Sequence, residues 1–130
     1  MHFGVSAPPF EDFFQPRTLA QLAHDAEQAG WDGVAPLKAS AEFGESLTPD
    51  DTHAIAAFCA EHRTATTPFD VLSGGHTADS TDTALPHAHA DAGATWWIED
   101  VSPWPFGWKW EGAWPVEAMR NRIRAGPPAF

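Results

Sequence analysis

A chain of 130 residues, 43% hydrophobic and 19% charged, has the length of one domain and the composition of an ordinary globular fold. No run approaches the roughly 20 consecutive apolar residues that a membrane span requires, so a membrane is not an expected partner. Seven Lys and Arg against 18 Asp and Glu leave a net charge of -11, which repels a phosphate backbone and argues against nucleic acid as well.

Phe3 to Ala7 is short, apolar and strand-like, and Pro8-Pro9 ends it, because proline has no N–H to give a ladder. The opening Met1-His2-Phe3-Gly4-Val5 has no charged leader followed by an apolar run, and a cytoplasmic protein is the expectation. From Arg17, the residues Leu19, Leu22, Ala23, Ala26 and Ala29 recur at helical spacing. Pro16 suits the start of that helix and Gly30 the left-handed residue after its end.

Trp31 to Leu37 reads as a second strand and Lys38 to Leu47 as a polar loop. Thr48-Pro49-Asp50-Asp51 then supplies an N-cap, a first-turn proline and two carboxylates near the positive end of a helix dipole. The helix runs to about His62, with Ala54, Ile55, Phe58 and Cys59 on one face. Cys59, the single cysteine, reads as a small buried apolar residue.

Phe69 to Ser73 is a third strand closed by Gly74-Gly75 as a tight turn. A helix is expected over Thr81 to Ala92, with Pro86 in its first turns, and Gly93 ends it. Thr95 to Ile98 is a fourth strand. Pro115 opens a last helix that puts Val116, Met119 and Ile123 on one face, Glu117 early and three arginines late, before Gly126-Pro127-Pro128 stops it. The pattern is about four strand–helix units, an α/β fold with parallel strands.

In parallel α/β folds ligands sit at the carboxyl ends of strands, which directs attention to residues 8–10, 36–38, 74–77 and 99–102. Gly74-Gly75-His76-Thr77 admits two readings, an ordinary turn or a phosphate cradle whose glycines let a ligand approach the backbone. His87 and His89 are two apart on a helix and point to different faces, so solvated helix surface is expected rather than a metal site. Six tryptophans crowd residues 96 to 114. They line a flat-ring pocket or interface, or else plug exposed apolar surface.

Two stretches carry a family resemblance. Residues 1 to 34, MHFGVSAPPFEDFFQPRTLAQLAHDAEQAGWDGV, resemble the opening strand, first helix and second strand of the luciferase-like monooxygenases, (β/α)8 enzymes that use flavin or deazaflavin. Across residues 31 to 130, the segments WDGVAPLKASAEFGESLTPDD, PFDVLSGG, AGATWWIEDVSPW and VEAMRNRIRAGPP resemble the closing part of such proteins. A full barrel takes roughly 250 residues, so the resemblance implies a partial TIM-type barrel lacking its centre, joined near the WDG-type strand at Trp31 to Val34.

The same resemblance implies a flavin-dependent monooxygenase or oxidoreductase acting on a small-molecule substrate, with flavin mononucleotide or a deazaflavin coenzyme supplying the hard chemistry. By position it carries cofactor binding onto Gly74, Gly75, His76, Thr77, Trp96, Trp97 and Glu99, and assigns no catalytic residue. Four strands where eight close a sheet imply a homodimer that completes the barrel. The alternative is a non-catalytic remnant or an aromatic-ligand binding module.

Overall fold

The computed structural model describes residues 1–6, 25–35, 47–62 and 70–130, with the backbone alone at 33–35, 58, 59 and 62. The expected helix start near Arg17, the loop over 38–46 and the run at 64–69 lie outside the described residues, as does the side chain of Cys59. Residues 25–28 are helical and lead through a turn into the second strand.

Four strands, β1 (His2–Ser6), β2 (Gly33–Ala35), β3 (Leu72–Gly75) and β4 (Trp96–Asp100), form one sheet in the order β2-β1-β4-β3. Every neighbouring pair is parallel, so the fold is mixed α/β. The helices are α1 (Pro49–His62), α2 (Ala84–Asp91) and α3 (Val116–Arg124), and a 3-10 turn covers Trp104–Phe106. Among the described residues no helix is long and apolar enough to cross a membrane.

The start of α1 is built as its sequence dictates. The Thr48 hydroxyl accepts from Asp51 N–H at 3.2 Å, while Asp51 Oδ2 accepts from Thr48 N–H at 2.9 Å, a reciprocal box that satisfies two donors the helix itself leaves free. These bonds from Thr48 hold the Asp51 carboxyl below the ordinary carboxylate value. At the other helix ends Gly30 and Gly93 take φ of +86° and +105°, as expected of residues that stop a helix.

Register fixes which side chains share a face. Phe3 pairs with Trp97, Val5 with Glu99, Ser73 with Trp97 and Gly75 with Glu99, so these six residues point to one side of the sheet. The helices pack there. Met119 and Ile123 of α3 join Phe3, Val5, Trp97, Val101, Ala26 and Trp31 in the core. His89 of α2 and Thr52 of α1 both reach Ser73. Trp97 is completely buried, and truncating such a ring costs about 3–5 kcal/mol.

The second face carries His2, Gly4 and Ser6, then Trp96, Ile98 and Asp100, then Leu72 and Gly74. No helix of the described chain packs its core side chains here. Trp96, Ile98 and Asp100 are half-buried, and Leu72 is 52% exposed. The His2 and Trp96 rings meet tilted by 31°, centroids 4.8 Å apart.

Four expectations are corrected. Gly74 and Gly75 do not form a turn but complete β3, and β4 continues two residues beyond Ile98. The helix expected from Thr81 begins at Ala84, which leaves Pro86 in its first turn, where a missing N–H costs nothing. His89 is not on solvated surface: it is fully buried, because the face of α2 that bears it also bears Pro86 and lies against the sheet.

Candidate functional site

At the carboxyl end of β4 the Glu99 carboxylate sits wholly out of solvent among five donors. Oε1 accepts from Thr77 N–H at 2.6 Å, and Oε2 accepts from the Thr77 hydroxyl at 2.9 Å and from Trp97 Nε1 at 3.0 Å. Arg122 Nη2 lies 3.3 Å from Oε2, and His76 Nδ1 lies 3.6 Å from Oε1. A backbone amide, a hydroxyl and a guanidinium are the donors a phosphate would recruit. Here an anion from the chain itself holds them.

Arg122 is spent just as fully. Its Nε donates to Thr77 O at 3.0 Å, Nη1 to Gly126 O at 2.8 Å and Nη2 to the Thr77 hydroxyl at 2.6 Å. Its guanidinium also lies 5.2 Å from the centre of the Trp31 ring. Trp31 in turn donates Nε1 to Ile123 O at 2.9 Å, tying the start of the second strand to the end of α3. Burying a charged pair is favourable only when its remaining donors and lone pairs are met, and here they are.

The seven residues carried over for cofactor binding therefore separate into groups. Thr77, Trp97 and Glu99 are buried in the Arg122 cluster on the helix side. Gly74 and Trp96 belong to the second face. Gly75 points to the helix side, where a Cβ would fall 2.9 Å from the Trp97 ring and 3.4 Å from Leu85, and a Cβ on Gly74 would fall 2.6 Å from the Ile98 carbonyl oxygen. Both glycines are thus explained by close approach of β3 to β4. His76 stands between the groups, at the strand ends.

A row across all four strands is nearly free of side chains on the second face. Gly33 pairs with Gly4, Gly4 with Ile98, and Ile98 with Gly74. The neighbouring row carries His2, Trp96 and Leu72, and the row at the carboxyl ends carries Ala35, Ser6 and Asp100. Ile98 is the one side chain in that row, with Trp96 and Asp100 beside it on β4.

On the helix side a second buried polar cluster joins three elements. His89 Nδ1 lies 2.8 Å from Ser73 Oγ and 2.9 Å from Thr52 Oγ1, and the two hydroxyls are 3.2 Å apart. Its Nε2 is buried without a hydrogen-bond partner, 0% of the residue being exposed. Burial pushes the imidazole below its ordinary value, since the charged ring would have no acceptor at Nε2. The cluster pins α1 and α2 to β3. Among the described residues no group of His, Cys, Asp and Glu could hold a metal ion.

The tryptophan-rich segment is a packed aromatic knot. Trp104, Trp108 and Trp110 have mutual centroid distances of 5.8, 5.3 and 5.5 Å, and Trp108 also meets Trp114 at 6.2 Å. Phe106 and Trp114 pack onto the core, whereas Trp110 is 60% exposed. Phe106 and Trp114, which cover the core, match the expectation of rings that plug apolar surface.

Sequence reasoning missed Arg122, Ser73, Thr52 and the buried role of His89. The three arginines of α3 were read as a charge series, yet Arg122 shares the Met119–Ile123 face and had to find an acid; the signal lay in that helical spacing. Compared with protein-family models, with curated proteins and with solved structures, the chain matches none.

Proposed function

We propose that the chain is a shortened luciferase-like oxidoreductase, built from the first two and last two strand–helix units of a (β/α)8 barrel. It takes flavin mononucleotide or a deazaflavin coenzyme together with a small organic substrate. The observation that supports this most is the sheet order β2-β1-β4-β3. In a closed eight-stranded barrel the first strand lies between the second and the last. Removing the middle four units leaves this order, all parallel, with the core helices on the outer side.

The residues fit the cofactor only in part. A phosphate at residues 74–77 would find Thr77 N–H, the Thr77 hydroxyl and Arg122 already bound to Glu99. The residues left to hold a flat ring are Trp96 and the row Gly33, Gly4, Ile98 and Gly74. When bound, a flavin would supply redox chemistry; the chain's part is to provide a floor for the ring and the polar edge at Ser6 and Asp100.

Both edges of the described sheet, β2 and β3, are available for pairing, and Leu72 on β3 exposes apolar surface. Two copies related by a twofold axis along the barrel would pair β3 of each with β2 of the other in parallel, closing eight strands. Light scattering on the purified protein tests this arm: a dimer is expected, and a monomer at all concentrations contradicts it.

A second reading, a non-catalytic remnant or aromatic-ligand binding module, draws on the internal use of Glu99, Thr77 and Trp97. Titration with flavin mononucleotide, followed by tryptophan fluorescence, separates the two. Saturable quenching supports the oxidoreductase reading. An unchanged signal, with colourless protein on purification, supports the remnant.

A further inference from the structure

His76 occupies the carboxyl end of β3, one residue beyond the pairing of Gly75 with Glu99, and so comes beside Asp100 at the end of β4. Its imidazole is held from three sides. Nδ1 lies 3.0 Å from the Asp100 backbone oxygen, which can only accept, so Nδ1 carries the proton. The Glu99 carboxylate lies 3.6 Å from the same nitrogen, and the Phe106 ring meets the imidazole edge-on, centroids 5.0 Å apart at 78°.

With Nδ1 protonated, Nε2 holds the lone pair. No described residue hydrogen-bonds to that nitrogen, and the side chain is 29% exposed. A carbonyl and a carboxylate behind one nitrogen, with the other nitrogen open, is the arrangement that fixes the tautomer of an imidazole and aims its lone pair outward. The position matters too: the carboxyl ends of parallel strands are where reacting groups collect, and Ser6 and Asp100 share this rim.

The geometry points to His76 as a general base that takes a proton at Nε2 from an O–H group, either water or the hydroxyl of a small organic substrate bound on the rim. In the step, the O–H bond breaks, its electron pair stays on oxygen, and the proton joins Nε2. The imidazolium is held by Asp100 O and Glu99 until it returns the proton to solvent. This role does not depend on a flavin, so it stands or falls separately from cofactor binding.

The probe is p-nitrophenyl acetate in buffered water. Nε2 removes one proton from water, the water oxygen bonds to the acyl carbon, the bond to p-nitrophenolate breaks, and the acetic acid formed gives its remaining proton to the buffer. His76→Asn is the diagnostic variant, because its amide can replace Nδ1–H against Asp100 O while removing Nε2. The wild type should hydrolyse the ester about tenfold or more faster than His76→Asn, and should slow in deuterium oxide. His76→Gln, read alongside circular dichroism melting, separates loss of the base from loss of the fold. Equal rates for wild type and a folded variant overturn the proposal.

Discussion

Arg122 Nη2 lies 3.3 Å from Glu99 Oε2 with both side chains at most 2% exposed, and the Thr77 hydroxyl bridges them. The pair closes the carboxyl end of the sheet against α3. Breaking one side of such a pair strands the other charge in a dry site, which costs more than the pair is worth when intact. Arg122→Met should therefore lower the unfolding free energy by about 3–5 kcal/mol, read from urea titration. Adding Glu99→Leu to Arg122→Met should recover part of that loss; equal or additive losses would show that the pair does not act as a unit.

The buried imidazole of His89 makes stability depend on pH. Its folded value is depressed, so the unfolded chain binds the proton more readily. The contribution is complete above the ordinary histidine value of 6.5 and is lost as pH falls from there toward the folded value. The urea midpoint should drop as pH falls below 6.5. His89→Met, which leaves the Ser73 and Thr52 hydroxyls 3.2 Å apart to bond each other, should flatten that slope. An unchanged slope would assign it to other groups.

Gly74 and Gly75 test whether the doubled glycine serves packing. A Cβ at Gly74 meets the Ile98 carbonyl oxygen at 2.6 Å, which is backbone and cannot swing away. Gly74→Ala should cost about 1–3 kcal/mol by parting β3 from β4. Gly75→Ala should also destabilise, since its Cβ would fall 2.9 Å from the Trp97 ring, which is fully buried and has little room to move. If thermal melting of both variants matches the wild type, close approach is not why these glycines are there.

The division between what was legible and what was not follows physical lines. Local chemistry was readable: Thr48 and Asp51 announce the start of α1 within four residues, and Val116, Met119 and Ile123 mark the buried stripe of α3. Parallel strands followed from the alternation of elements. The Glu99–Arg122 cluster was not readable, because its members are brought together only by the crossover and by α3 folding back. The doubled glycine misled for a related reason. Glycine marks both a turn and a close approach, and only the position of Ile98 decides between them. The divergence of His87 and His89 on a helix argues against a shared ion but does not say which of the two faces inward, and Ser73 and Thr52, distant in sequence, supply the partners that permit burial of His89.

Flavin binding on the second face is the claim on which the proposed function rests. Titration of the purified chain with flavin mononucleotide and with a deazaflavin, followed by tryptophan fluorescence in the wild type and in Trp96→Ala, tests it most directly. Saturable quenching with one of them, weakened in Trp96→Ala, is the predicted result. Fluorescence that stays constant through both titrations would contradict it.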